Sequence, residues 1–132
     1  MKSIAKQQIK DLFRNPLGTI KLGLWMDGTP RQGMFMQWHS NGQLYIKCFY
    51  DGGKMNGEYK RWDESGQINE HCYFKDNRYD REYKSWHTNG QLQMHHFYAN
   101  GKKNGEYKVW GSSGELMKHA IYKDDLEIED LL

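Results

Sequence analysis

One 24-residue pattern occurs four times in this chain, in register and without a gap. The copies begin at Gly33, Gly57, Arg81 and Gly105, and a Trp, a Gly and a Leu or Ile stand at fixed places in each. A constant period of this length is typical of stacked repeats, in which each unit buries its apolar face against its neighbours. The pattern therefore predicts a stacked repeat architecture rather than an enzyme core.

The composition is that of a single thin domain with little net charge. Hydrophobic residues make up 37% of the 132 residues, and Trp, Tyr and Phe supply 14%, so rings carry much of the apolar surface. The net charge is +2, from 19 basic and 17 acidic residues. A balance this even does not attract the whole molecule to nucleic acid or to an anionic membrane, although it leaves room for a local patch.

The residues before the four copies are predicted to cap the array. Residues 1–14 are expected to form a short amphipathic helix, because their apolar side chains recur on one face until Asn15-Pro16 ends the helix. The alternative is that the lysines of this helix bind a membrane surface. Residues 15–32 read as a degenerate half repeat, with a strand over 19–26. The chain is then one domain over 1–132, with repeats at 33–56, 57–80, 81–104 and 105–128 and a tail at 129–132.

Each repeat is predicted to be a hairpin of two antiparallel strands. The first strand has the pattern G-E-Y-K-x-W, and a turn with a fixed Gly leads into a second strand that ends on an aromatic residue. Ser65 and Ser113 in that turn would tolerate positive φ poorly. This favours a three-residue loop, a type I turn followed by a left-handed Gly, over a two-residue turn. Four hairpins and the half repeat give about nine strands in one elongated, all-β antiparallel sheet.

The bulged loop pairs Trp38 with Leu44 and thereby determines which side chains share a face. The face that carries Trp38, Leu44, Cys48 and Tyr50 is the more apolar and is predicted to form the core. The opposite face is aromatic with polar edges and is the predicted partner-binding face. Its residues are Phe35, Lys47, Phe49, Tyr59, His71, Tyr73, Tyr83, His95, Phe97, Tyr107 and His119.

The cysteines and the repeated histidines are spaced too widely for a disulfide or a metal site. Cys48 and Cys72 occupy the same place in adjacent hairpins, about 9 to 10 Å apart, whereas a disulfide needs Cα atoms within about 7 Å. Both are predicted to be free thiols in a reducing compartment. His71, His95 and His119 form a ladder with the same spacing, which excludes a shared zinc site along it.

The sequence contains no motif for catalysis or for a cofactor. It has no G-x-S-x-G around a serine and no G-x-x-x-x-G-K-S/T phosphate loop. Glu58, Glu82 and Glu106 recur beside lysines, which indicates charge pairing between strands rather than acid–base chemistry. We therefore predict that the chain is not an enzyme, has no cofactor and takes no small-molecule substrate.

The repeated stretches resemble a known family. The clearest of them are Tyr59-Lys60, Asn89-Gly90-Gln91-Leu92 and residues 98–105, YANGKKNG. They are similar to the MORN repeat, and most closely to its bacterial and large-virus variant, described as antitoxin-like. The resemblance implies an elongated sheet of hairpins used for protein contacts, dimerisation or association with phosphoinositide membranes, and it brings no catalytic residues. The 24-residue period and the junction at 76–81, which lacks Gly-Lys and the opening Gly, depart from the family pattern.

We predict a non-catalytic scaffold that mediates protein–protein interaction or self-association through the aromatic face, because a thin sheet cannot bury rings on both faces within one chain. The alternative is peripheral binding of anionic phospholipid or single-stranded nucleic acid through basic and aromatic stripes. Specificity for a partner is expected at positions where the four repeats differ, which are Lys47, Val109 and residues 78–81. The candidate anion-binding edge consists of Lys54, Arg78, Lys102 and Lys103.

The two ends of the chain carry further expectations. The first residues show no signal-peptide core, and no stretch reaches the length of a membrane span. This predicts a cytoplasmic protein, or a virion-associated one if the source is viral. The acidic stretch from Asp124, DDLEIEDLL, is expected to limit further pairing if it forms an edge strand. A short helix and a free interaction tail are the alternatives.

Overall fold

Successive strands of the chain lie side by side in one open antiparallel sheet. The structure is a computed structural model and describes residues 28–132. The principal strands follow the order β1-β2-β4-β5-β7-β8-β9-β10-β11, while the short β3 and β6 pair with β2 and β5. The predicted all-β sheet of stacked hairpins is confirmed. The strands are β1 (Gly33–Trp38), β2 (Leu44–Asp51), β3 (Lys54–Met55), β4 (Gly57–Trp62), β5 (Ile68–Lys75), β6 (Arg78–Tyr79), β7 (Arg81–Trp86), β8 (Leu92–Ala99), β9 (Lys102–Trp110), β10 (Leu116–Lys123) and β11 (Leu126–Asp130).

The N-terminal predictions fall mainly on residues that the structure does not describe. The capping helix over 1–14 and the strand over 19–26 both lie outside the described residues. Residues 28–132 contain strands and turns and no helix. None of this described part could therefore cross a membrane as a helix.

The loop inside each hairpin has the predicted bulged geometry. The Gly42 N–H donates to the His39 carbonyl at 3.0 Å, which closes a turn, and the His39 N–H donates to the Gln43 carbonyl at 2.8 Å. Gly42 has φ 88°, in the left-handed region that glycine enters without strain. The loops at Gly66, Gly90 and Gly114 repeat this geometry. The predicted pairing of Trp38 with Leu44 is confirmed, with a register shift between Gln37 and Trp38.

The turns between hairpins keep one backbone shape although their sequences differ. Two successive residues with positive φ form each of these turns, as expected for a two-residue type I′ turn. Each turn also bonds to the preceding repeat: the Asn77 N–H donates to the Met55 carbonyl at 3.0 Å, and Asn77 Oδ1 accepts the Met55 N–H at 2.8 Å. The residue pairs are Gly52-Gly53, Asp76-Asn77, Asn100-Gly101 and Asp124-Asp125.

The core lies on the face of the sheet that carries Cys48, as predicted, and we call this the inner face. Cys48, Cys72 and Ala120 are buried there with 2%, 1% and 0% of their surface exposed. Trp38 and Ile46 pack against the cluster that includes Cys48. Both cysteines are free thiols, in agreement with the prediction. Because the sheet has a single layer within the described part, its core consists of side chains that cover one another along the sheet.

The structure corrects the predicted face of one aromatic column. Phe35 pairs with Cys48 and is itself buried, so it lies on the inner face and not on the opposite face. Strict alternation of side chains along β1 would place Phe35 and Trp38 on opposite faces. The register shift between Gln37 and Trp38 interrupts this alternation, so that the two side chains share a face. The same correction applies to the other members of the column, Tyr59, Tyr83 and Tyr107, which pair with Cys72, His96 and Ala120.

The acidic C-terminal stretch forms an edge strand, one of the three alternatives considered. β11 pairs with β10, and the Leu131 N–H continues the pairing by donating to the His119 carbonyl at 2.7 Å. Every residue of β11 is exposed, and Leu126 and Ile128 expose 69% and 61% of their surface. Carboxylates of Glu127, Glu129 and Asp130 interrupt this apolar edge.

Candidate functional site

A line of basic side chains crosses the face opposite Cys48, which we call the outer face. Its members lie directly opposite one another on successive strands from β2 to β10, so that they form one continuous cross-strand row. The row, called the basic row below, consists of Lys47, Lys60, His71, Lys84, His95, Lys108 and His119.

A glutamate in each of the last three repeats binds two members of the basic row. His71 Nε2 lies 3.0 Å from Glu58 Oε2, and the Lys60 Nζ lies 3.8 Å from Glu58 Oε1. The same arrangement of Lys, Glu and His recurs twice, with His–Glu distances of 3.0 and 2.9 Å. The predicted charge pairing is therefore present, but its closest contact joins glutamate to histidine across strands. The two further groups are Lys84, Glu82 and His95, and Lys108, Glu106 and His119.

These contacts stabilise the carboxylate form of two glutamates. The hydrogen bond from His95, with a smaller contribution from Lys84, holds the pKa of Glu82 below its ordinary value. Hydrogen bonds from His119 and Lys108 lower the pKa of Glu106 in the same way. The glutamates thus remain negative beside the basic row and offset part of the repulsion between its like charges.

Aromatic rings run beside the basic row on the outer face. Phe49 packs over Gly57 and Phe97 packs over Gly105, where the missing Cβ lets the ring approach the backbone. Both rings remain partly exposed. In the junction that lacks the glycine, the Arg81 guanidinium lies 4.9 Å from the centroid of the Tyr73 ring. Arg81 also takes up positive φ, at 62°.

The predicted partner-binding residues are therefore divided between the two faces. Seven of the residues named as one face do share the outer face: Lys47, Phe49, His71, Tyr73, His95, Phe97 and His119. The other four belong to the inner face, where Tyr83 stacks on His96 with ring centroids 4.5 Å apart. Sequence reasoning did not include Lys60, Lys84 and Lys108 in the site. Their recurrence two residues after each glutamate was the signal that could have placed them.

Only two of the four residues of the predicted anion-binding edge lie together, at a cavity that we call the groove. Lys54 and Arg78 line a cavity of about 320 Å³ together with Lys75, and Asp76 and Asp80 also line it. Neither Lys102 nor Lys103 lines this cavity. The ammonium of Lys103 instead lies 5.1 Å from the Tyr107 ring centroid and 5.3 Å from that of Tyr122.

The groove holds a pair of like charges that no other junction within residues 28–132 has. Lys75 and Arg78 are directly opposite on β5 and β6, and like charges in this position repel each other. The corresponding pair in the preceding repeat, Asp51 and Lys54, has opposite charges. The groove therefore has two like charges directly opposite each other, and its three basic and two acidic side chains leave it a formal charge of +1.

The inner face contains a buried histidine that is stacked between tyrosines. His96 lies between the rings of Tyr83 and Tyr107, at 4.5 and 4.8 Å, and is 3% exposed. Its Nε2 is 3.2 Å from the Tyr98 hydroxyl, while its buried Nδ1 has no hydrogen-bond partner. Burial, and secondarily the charge of Lys103, lowers the pKa of His96 to about 4. Among the described residues, no three His, Cys, Asp or Glu side chains are grouped so as to hold a metal ion.

One comparison with known proteins finds a similarity in three of the repeats. The family model described as "MORN repeat variant" matches residues 31–51, 55–76 and 82–100. The chain matches no curated protein and no solved structure. The matched segments cover the first three hairpins, so the resemblance found in the sequence is supported at the level of the MORN repeat variant.

Proposed function

We propose that this chain of MORN-variant repeats is a non-catalytic scaffold that binds a protein partner, or a second copy of itself, through its outer face. MORN repeats are generally modules for binding proteins or membranes, and the matched family is not enzymatic. The proposal rests on the partial exposure of the aromatic rings on the outer face. Phe49, Tyr73 and Phe97 stay partly exposed, and no second layer covers them in the described part of the chain.

The inner face offers less to a partner, because its rings contact one another across the strands, although rings such as Tyr79 and Tyr83 are partly exposed. Tyr79, for example, stacks on Tyr98 at 4.9 Å and lies 4.7 Å from Phe74. Phe35 and Tyr50 are buried in the same column of contacts. A partner on the inner face would meet rings that already contact one another, whereas on the outer face it would meet rings beside the basic row.

Sedimentation over a concentration series tests the self-association form of the proposal. We expect the mass to rise above that of a monomer between low micromolar and about 1 mM protein, because a weak contact has a dissociation constant in this range. Tyr73→Lys should abolish the rise, since it places a charge among the outer rings. Thr88→Lys, in an exposed hairpin turn, makes the same charge change and serves as the control.

A heterologous partner is tested by capture from the native source. The outer-face variant Tyr73→Lys should lose one captured protein that the Thr88→Lys control retains. A chain that is monomeric at all concentrations, and whose captured proteins are the same for both variants, would contradict the proposal.

A second candidate function, binding of anionic phospholipid, is favoured by the groove at the eroded junction. Lys54, Lys75 and Arg78 converge there around a concave surface. Basic residues near an anionic membrane contribute about 1 kcal/mol each to binding. Flotation with phosphatidylserine vesicles at low salt should therefore retain the protein, and Arg78→Gln should weaken retention more than Lys123→Gln does. Equal retention of the two variants would argue against the groove.

We also propose that the repeats are closest to the antitoxin-like variant of bacteria and large viruses, and that the protein works in the cytoplasm. The stretches Asn89-Gly90-Gln91-Leu92 and YANGKKNG over 98–105 support the first statement, and the two free, buried thiols support a reducing compartment. Fractionation of cells from the native source, with an antibody to the chain, tests the location. Recovery from the medium or from an oxidising compartment would contradict it.

A further inference from the structure

The basic row has a geometry that charge pairing alone does not explain. Seven side chains able to carry positive charge stand directly opposite one another on consecutive strands, and this is an unfavourable arrangement within a sheet. Six strand spacings of about 4.8 Å give the row a length of about 29 Å. It crosses the strands, so a ligand that follows it must be long, narrow and anionic.

The three glutamates do not neutralise the row completely. Four lysines and three glutamates give a charge of +1 with the histidines neutral, and protonation of the three histidines raises it to +4. Lys47 adds charge at one end of the row, where Met34 and Met36 stand in place of the glutamate and lysine of later repeats.

Several charged groups face the histidines from the neighbouring strands. β4 contributes Glu58 and Lys60 beside His71, and β7 contributes Lys84 on the other side. The remaining charged neighbours are Glu82, Lys84 and Lys108 around His95, Glu106 and Lys108 beside His119, and Glu129 of β11, which is paired with Ile121.

The rings beside the basic row indicate which class of anionic ligand fits the outer face. Phe49, Tyr73 and Phe97 recur in the first three repeats, and Ile121 takes their place in the fourth. His71 and His95 lie 5.4 and 5.1 Å from the neighbouring ring centroids. Partly exposed rings along a basic track are the arrangement on which nucleic-acid bases stack. A membrane needs a wide surface rather than a line one residue across, and an acidic peptide gains nothing specific from base-sized platforms.

We propose that the outer face binds single-stranded nucleic acid, with the phosphates following the basic row and bases stacking on the rings beside it. This activity goes beyond the protein-binding role. Binding is independent of sequence, because the row offers charge and rings and no element shaped to read base edges.

Fluorescence anisotropy with a labelled oligothymidylate of about 15 nucleotides tests the proposal. The intact chain should bind at low salt and lose affinity steeply as the salt concentration rises, because lysines of the row contact phosphates. The triple variant Lys60→Gln, Lys84→Gln, Lys108→Gln should reduce the slope of log K against log salt by about 2, since each phosphate contact contributes about 0.7. The control, Lys118→Gln with Lys123→Gln, removes two lysine charges outside both the row and the groove and should keep the slope.

Circular dichroism of each variant establishes that it is folded. If the triple variant is unfolded, the single change Lys84→Gln takes its place, and its slope should fall by about 0.7. The proposal is overturned if the intact chain does not bind the oligonucleotide near pH 6 at low salt, or if the control loses as much as the row variant. Stronger competition by polyglutamate or by anionic vesicles would overturn it as well. Sedimentation of the free protein reports separately on the protein-binding role.

Discussion

At the scale of single residues, the repeat lets one position be compared in four environments. Cys48, Cys72, His96 and Ala120 occupy equivalent places on the inner face, and all are buried. Burial raises the pKa of the Cys48 thiol to about 12, with Arg31 acting weakly in the opposite direction, and it lowers the pKa of His96 to about 4. The same position therefore keeps a thiol protonated and an imidazole neutral, because burial disfavours the charged form of each.

His96 should make the protein acid-sensitive. Its folded-state pKa lies below that of an exposed histidine, so its neutral form favours the folded state above about pH 6.5. That stability is lost as the pH falls toward about 4, to an extent of about 3 kcal/mol. Urea unfolding at several pH values should show this slope in the native chain and a shallower one in His96→Ala, which installs the residue of the fourth repeat. His95→Ala, on the outer face, is the control, and an unchanged slope in His96→Ala would show that another group is responsible.

The loop glycines should tolerate alanine poorly. Gly90 has φ 86°, so Gly90→Ala is expected to cost about 1 to 2 kcal/mol, because a Cβ is strained in the left-handed region. Thr88→Ala in the same exposed loop should cost less than about 0.5 kcal/mol. Thermal unfolding of the two variants makes the comparison, and similar melting temperatures would be inconsistent with the bulged loop.

At the scale of the hairpin, Trp links each first strand to the core. Trp38 packs against the inner cluster, and Trp86 holds the same place in the third repeat. Trp86→Ala should therefore cost about 3 kcal/mol and lower the melting temperature by more than 10 °C or so, because it removes a large ring from the middle of the array. An unchanged melting temperature would mean that the core has been placed on the wrong face.

Within the hairpin, the loop and the strand pairing could be predicted from the sequence, but the face of one aromatic column could not. The positions of Gly42 and Trp38 predicted the loop and the first strand pair, because turn chemistry is local. The face of Phe35 was predicted wrongly, because the result depended on where the one-residue shift falls within the pair. A shift of one position reverses a side chain's face, and no local propensity specifies it.

At the scale of the whole molecule, stability should decrease from the middle of the array to its end. Each repeat is supported only by its neighbours, and β11 has all its residues exposed. Hydrogen exchange should therefore be fast over 124–132 and slowest over β7 and β8. Uniform protection along the sheet would contradict a stack of repeats that are stabilised by their neighbours.

The site could be predicted from the sequence only in part. Outer-face residues such as His71 and Tyr73 were recognised because they recur with the period. The continuous basic row was not recognised, because it depends on the register between one hairpin and the next. Glu70 was also missed: it is buried on the inner face, where it accepts a 2.7 Å hydrogen bond from Arg61, while the equivalent position in other repeats holds Ile46, Met94 or Lys118.

The central claim is that one face of this single sheet is a closed core and the other is an open surface. Thiol labelling tests it directly, because Cys48 and Cys72 are 2% and 1% exposed and burial raises the pKa of both thiols. Neither should react with a thiol reagent until urea unfolds the chain, whereas a thiol introduced by His71→Cys, one residue from Cys72 but on the outer face, should react at once in the folded protein. Rapid labelling of the native cysteines, or protection of the new thiol, would contradict the account.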